Sequence, residues 1–443
     1  MDQNEIENIK FNDDQYDELK RKERRIDDKL QLELLKKELE KKAFSKKEHT
    51  CKHNNEQSRF INSPIESSSL IGIPGGGKST CIVDWIIKNL VSGTLQQNEI
   101  LLLVFNKDIR NDLANKLKNY DLDEYIRTFD SLSEIINKGY GNIVKKPPNF
   151  SKLSEGDKKK TEYHKQVMDN CLHNLKNTQI IPFIENIKVI IVDEAQDINL
   201  LNHMVIKQMS KKLKNIPIIL VGDPNQSLYI SLRKSNPKYL TEHKGTRHRL
   251  KINYRSTEQI VEFSQNFIQN KYDIISSNKT AGPKPIYITS DNNDLTLNDM
   301  IKKIVNVRKN NIEYYDIAII TYFRKYQEES SVAKITEYLK KNNIPTGKNG
   351  VNILTYYTDK GLEYHTVIIN DFQDWWIIRN DSQELKQNLQ YVSITRAKQN
   401  LIIYYNKYTR KSKNDKTYRQ KNNAPELLRN VPNHLYEEEY LYA

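Results

Sequence analysis

The sequence is short of the residues that staple or anchor a chain. Its 443 residues include three cysteines, Cys51, Cys81 and Cys171, far apart and in no CxxC pair. That excludes a disulfide framework and leaves a structural zinc centre without a ligand pattern. Long apolar runs are missing too: residues 216–221 are strand-sized, far short of the ~20 residues a membrane helix needs. The opening Met-Asp-Gln-Asn-Glu has neither the basic start nor the apolar stretch of a secretory leader. The expectation is an intracellular protein of the cytoplasm or nucleus, with no membrane partner and no secretion, in keeping with a mean hydropathy of −0.76.

Positive charge is what the chain has in excess. Lys plus Arg number 70 against 57 Asp plus Glu, a net charge of +13, which favours a polyanionic partner. At roughly 150 residues per domain the length implies two or three domains. Residues 1–50 are mostly charged, yet Ile26, Leu30, Leu34, Leu35 and Leu39 recur at spacings of three and four. This predicts a charged helical extension with one narrow apolar stripe, either a solvated extension or a helix suited to a protein partner or to self-association through residues 19–44.

From residue 51 to 245, apolar strands at 70–73, 100–105, 126–129, 189–192 and 216–221 alternate with helical stretches. The alternation resumes over 246–407, with strands at 286–289, 317–321, 351–356, 366–370 and 401–405. This is an α/β chain with two parallel-sheet domains. Residues 145–166 break the first pattern and read as an insertion or long surface loop, followed by a helical candidate at 167–175, within a reduced insertion at about 135–185, and residues 408–443 read as a basic, then acidic, tail.

Gly72-Ile-Pro-Gly75-Gly76-Gly77-Lys78-Ser79 fits GxxxxGK[ST] between an apolar strand and a helical run starting at Thr80. Glycines let backbone N–H groups converge on phosphate oxygens, Lys78 neutralises the β/γ-phosphates, the Ser79 hydroxyl is placed for Mg²⁺, and Thr80 is expected to bind the nucleotide beside it. Asp193 and Glu194 end the strand at 189–192, where a parallel sheet presents its ligands. Asp193 would hold the metal, and Glu194 would orient or deprotonate the attacking water.

With these residues in place, the order of further motifs over 53–406 resembles the UvrD/Rep-like superfamily 1 helicases, the form Asp193-Glu194-Ala-Gln196-Asp197 most specifically. The resemblance implies two RecA-like P-loop domains, ATP and Mg²⁺ as cofactors, and single-stranded or tailed duplex DNA as partner. It implies that Gln57 reads adenine, Gln226 senses the γ-phosphate, Tyr254 stacks on adenine, Arg255 reaches the γ-phosphate, Glu363 binds ribose and Arg396 is an arginine finger. Along the strand path it places Phe105 and Asn106, Thr128 and Phe129, Tyr229, and Thr355 and Tyr357. Cleavage of the γ-phosphate needs cations on developing charge, and the first half supplies only Lys78 and the metal, so two arginines of the other half complete the site and couple turnover to cleft closure.

The chain departs from the family in places. Leu232 stands where an aromatic is usual, and Asp130 and Tyr357 replace histidines. The intervals 133–188 and 257–350 leave little room for accessory domains, which implies a minimal motor. Trp375-Trp376 reads as core packing or a stacking platform, and the basic stretch 408–421 as a backbone-tracking segment or a solvated tail. The expected activity is an ATP-dependent 3′-5′ DNA helicase or single-strand translocase. Two alternatives stay open: an ATP-switched nucleic-acid-binding or recruiting module, and an RNA-directed motor.

Overall fold

The computed structural model describes residues 53–442 except 154–156, 178, 231–233, 269–275, 278, 322–330, 357–360, 371, 373–382, 414–415 and 422–426. The expectations for residues 1–50, Cys51, Leu232, Tyr357 and Trp375-Trp376 lie outside the described residues.

Six parallel strands form the first sheet: β1 (Ser68–Gly72), β2 (Ile100–Val104), β3 (Ile126–Thr128), β4 (Val189–Val192), β5 (Ile218–Gly222) and β6 (Thr246–Leu250), in the order β3-β2-β4-β5-β1-β6. Helices cover both faces, which is why β2 reads Ile-Leu-Leu-Leu-Val and is buried throughout. Successive side chains alternate between faces. Leu102 and Val104 pack with Ile82, Trp85 and Ile86 of the helix Lys78–Val91, while Leu101 and Leu103 pack with Leu132, Ile136 and Met209 on the other side.

Two sequence expectations are corrected here. The first sheet runs past residue 245, because β6 pairs with β1 from Ser68↔Thr246 to Gly72↔Leu250. Its Thr-Arg-His-Arg-Leu sequence is an edge strand with outward charge, so no apolar run announces it. The supposed loop at 145–166 contains the start of a helix, Lys158–Asn174, capped by Asp157, whose carboxylate accepts from Lys159 N at 2.8 Å. Tyr163, Val167, Met168 and Cys171 make its buried stripe, a helical spacing that the Lys158-Lys159-Lys160 run obscures. The insertion is thereby packed onto the domain core.

A short parallel pair, β7 (Ile252–Asn253) with β8 (Ser276–Ser277), leads into the second domain. Its sheet combines β9 (Ile286–Ser290), β10 (Ile317–Thr321), β11 (Asn352–Thr355), β12 (Tyr364–Ile369) and β13 (Ala397–Asn406). An antiparallel hairpin follows, β14 (Tyr408–Lys413) with β15 (Lys416–Lys421). The chain then returns as β16 (Glu437–Leu441), and the sheet order is β11-β10-β12-β13-β9-β16, all parallel. The expected tail thus supplies a hairpin and a sheet strand. Lys303 Nζ holds Glu439 at 2.8 Å, so acid in this strand is paired and its Glu-Glu-Glu start conceals it from a search for apolar runs. Among the described residues no helix is long and apolar enough to cross a membrane.

The two sheets meet the cleft with opposite ends. The first domain offers the carboxyl ends of β1, β4 and β5; the second offers the residues just before β12 and β13, Glu363 and Arg396.

Candidate functional site

The loop between β1 and its helix is shaped by glycines that nothing else could replace. Gly75 has φ +68° and Gly77 has φ +86°, in the left-handed region. A Cβ on Gly75 would lie 2.6 Å from Arg255 Cβ, and one on Gly77 2.6 Å from Gln57 Nε2. Loop and surroundings therefore touch at backbone distance.

What touches the loop comes from both domains. The Asn253 amide donates to Pro74 O at 2.9 Å, and its Oδ1 accepts from Arg255 N at 2.7 Å and Ser256 N at 2.8 Å. Tyr254 N donates to Gly75 O at 2.9 Å. Gln57, buried, donates through Nε2 to Gly76 O at 3.2 Å and forms a capping box with Asn54, whose own amide donates to the Tyr254 hydroxyl at 2.6 Å. Gln57 and Tyr254, expected on the adenine, thus stand together beside the loop, joined through Asn54.

Lys78 folds back over the loop, donating to Gly72 O at 2.9 Å and Ile73 O at 3.2 Å. Burial pushes its ammonium below the ordinary value, while Asp223, Glu194 and Asp193 pull it back up. Those carboxylates end neighbouring strands. Glu194 N donates to Asp193 Oδ1 at 2.9 Å, and Glu194 is held at φ +53°, a strained conformation for a residue with a side chain. Gln196 ties the two strand ends together: its Nε2 donates to Glu194 Oε2, and its Oε1 accepts from Asp223 N at 3.1 Å. Gln226 Nε2 in turn donates to Asp223 Oδ2 at 3.0 Å.

Across the cleft, Arg396 is 2 % exposed. Its Nε donates to Val392 O at 3.1 Å, Nη1 to Leu362 O at 3.1 Å, and Nη2 to Gln226 Oε1 at 3.3 Å. Asn388 adds a further interdomain bond, Nδ2 to Ser227 O at 2.9 Å. Arg255 Nε donates to Glu363 Oε2 at 2.6 Å, and Lys398 Nζ holds the other oxygen at 2.9 Å. Burial pushes the Glu363 carboxyl up, but Arg255 and Lys398 outweigh it and hold it below the usual range. All six residues expected to act on the phosphates, Lys78, Asp193, Glu194, Gln226, Arg255 and Arg396, fall in this one hydrogen-bonded and charged neighbourhood.

The residues expected on a nucleic-acid path are placed more variously. The Phe105 and Tyr229 rings meet at 4.7 Å between centroids with a 31° tilt, a pair joining the end of β2 to the segment that follows β5. Asn106 and Thr128 are helix caps, accepting from Ile109 N at 2.8 Å and Ser131 N at 3.2 Å. Phe129 is 7 % exposed and packs in the core, and Thr355 ends β11 opposite Thr321. Asp130, in place of the usual histidine, lies 3.0 Å from Nδ1 of His164 on the insertion helix.

The sequence gives no role to Asn253, Asp223 or Lys398, and Gln196 enters it only as part of its motif. Only Asn253 carried a local signal, an Asn opening a turn whose side chain satisfies following backbone N–H groups. Gln196 and Asp223 have near partners, Glu194 and Gln226, but meet each other across 27 residues, and Lys398 acts through Glu363 of a different segment.

Two family descriptions match the chain: AAA domain over residues 57–232, and UvrD-like helicase C-terminal domain over 248–349 and 346–408. A protein of Acanthamoeba polyphaga mimivirus bearing the name of an ATP-dependent DNA helicase is 26% identical over 390 residues, 81% of this chain and 54% of its own length. The RecBCD enzyme subunit RecB of Borreliella burgdorferi is 25% identical over 341 residues, covering 69% of this chain and 28% of its own. ATP-dependent DNA helicase Rep of Buchnera aphidicola subsp. Schizaphis graminum is 33% identical over 179 residues, 38% of this chain and 26% of its own. This chain spans about half the length of the first relative and less of the other two.

Proposed function

This chain belongs to the UvrD-like superfamily 1 helicases, and from that premise we propose that it is an ATP-driven DNA motor, hydrolysing ATP in the interdomain cleft and moving 3′-5′ along a single strand. The observation that carries this is the Arg396–Gln226 bond across the cleft, which puts a buried guanidinium of one domain on the residue that bridges to Asp223 of the other. A cation that reaches the phosphates only when the domains meet links turnover to domain closure.

In this reading the Gly75–Gly77 loop and Lys78 bind the β/γ-phosphates, with Gln57 and Tyr254 at the base. Ser79 and Asp193 would hold Mg²⁺, which supplies neutralisation of phosphate charge. Among the described residues no group of three or more His, Cys, Asp or Glu could hold a metal. That suits Mg²⁺, which typically takes one or two carboxylates plus substrate phosphates. Glu194 orients and deprotonates the attacking water, while Arg396 and Arg255 stabilise charge on the departing phosphates. Arg255 must first exchange Glu363 for phosphate, and that exchange frees Glu363 for the ribose hydroxyls.

Phe105 and Tyr229 are the aromatic pair best placed for strand contact. The basic stretch 408–421, read from the sequence as a backbone-tracking segment, contains the paired strands β14 and β15. The chain has little room for accessory domains, so the isolated protein is expected to translocate well and unwind poorly, improved by a partner or by self-association. The test is ATP turnover with and without single-stranded DNA or RNA, alongside displacement of a tailed duplex. Stimulation by DNA with weak displacement supports the motor; binding without turnover points to an ATP-switched recruiting module, and preference for RNA to an RNA-directed motor.

A further inference from the structure

At the amino-terminal edge of the first sheet, the end remote from the phosphate loop, a cavity of about 960 Å³ opens between the helices Lys158–Asn174 and Leu200–Lys212. Leu172 and Met204 line it, and Met204 is 44 % exposed. Lys176, Lys207 and Lys211 stand around it against one acid, Asp169. Among the described residues none of these lysines has a carboxylate within ion-pair distance. Leu200, Met204, Lys207 and Lys211 fall on one helix face, so apolar and cationic groups follow each other along the groove.

An apolar floor with an unpaired cationic rim fits an acidic segment carrying apolar anchors. The chain has one. Residues 2–18 hold Asp2, Glu5, Glu7, Asp13, Asp14, Asp17 and Glu18 against Lys10 alone, interleaved with Ile6, Ile9, Phe11 and Tyr16, in a protein whose net charge is +13. Residues 19–52 give this segment a reach of at least about 50 Å, counted at the helical rise, which exceeds the width of a domain of roughly 200 residues.

We propose that residues 2–18 dock in this groove of the same chain. The contact lies at the opposite end of the sheet from the nucleotide residues and does not depend on what the cleft catalyses. It is tested on the full chain by carbodiimide coupling, which joins lysine to carboxylate, followed by mass spectrometry of a mixture of isotopically light and heavy protein. Lys188–Glu99 at 2.6 Å and Lys303–Glu439 at 2.8 Å are built-in positive controls. The expected result is coupling of Asp13 to Glu18 with Lys176, Lys207 or Lys211, within chains of one label. Met204→Asn, which neither removes nor adds a coupling site, should lower that yield several-fold by placing a polar amide on the apolar floor. The proposal is overturned if the controls couple and these pairs do not, if the products join light to heavy chains, or if Met204→Asn leaves the yield unchanged.

Discussion

Arg396 of the second domain donates to Gln226 of the first at 3.3 Å, and Gln226 donates on to Asp223 at 3.0 Å. A single chain of polar contacts thus runs from the arginine of one domain to a carboxylate that faces Lys78 in the other. Perturbing any member should therefore be read in turnover before it is read in stability.

The phosphate loop is the first place to look. Lys78→Ala should abolish ATP turnover, and Glu194→Gln should keep nucleotide binding while cutting turnover by roughly 10² or more. Binding is followed with a fluorescent nucleotide and turnover by phosphate release. Wild-type turnover in Glu194→Gln would remove that carboxylate from the catalytic role.

Gly77→Ala should impair the loop for two reasons, a left-handed φ of +86° and a Cβ placed 2.6 Å from Gln57 Nε2. Forcing a side chain into that conformation costs about 1–2 kcal/mol before the clash is counted. The expected outcome is a lower Tm and at least about tenfold weaker ATP binding, because the cradle must open. Gly93→Ala is the control: its φ is also positive, at +70°, but nothing lies within 4 Å of the added Cβ, so strain alone is measured.

Glu363 gives a pH dependence of definite sign. Its carboxyl is held below the ordinary 4.5 by Arg255 and Lys398 despite the opposing effect of burial. A carboxyl depressed in the folded state contributes stability that is present above its unfolded value and lost as pH falls through the folded one. Urea unfolding of wild type and Glu363→Gln should therefore converge as pH falls below about 4.5. An unchanged gap between the two at lower pH would contradict the pairing.

Single-strand binding should be governed by phosphate contacts. Log affinity is expected to fall linearly with log salt, at about −0.7 per neutralised phosphate. Replacing Arg410, Lys411 and Lys413 with Ser should flatten that slope if the hairpin contributes, and leave ATP turnover without DNA unchanged. A salt-independent affinity would count against a backbone-tracking motor.

Much of this architecture is legible in sequence wherever burial is two-sided. The strands 189–192 and 317–321 coincide with β4 and β10 because a covered parallel strand must be apolar at every position. Edge strands give no such signal. Thr246–Leu250 and Glu437–Leu441 carry charge outward, so a sixth strand of each sheet went unread. The phosphate loop was legible because its glycines and Lys78 are contiguous. The Asn253 clasp, the Gln196 tie and the Lys398–Glu363 pair were not, since each is made by chain segments brought together only in the fold.

The claim that turnover is shared between the two domains is tested most directly by single-turnover hydrolysis in Arg396→Ala, with ATP affinity measured on the same protein. The account predicts a loss of about 10³ or more in the rate of bound ATP cleavage with little change in affinity, since the arginine acts on transition-state charge. Collapse of ATP affinity while bound ATP is still cleaved at the wild-type rate would contradict it.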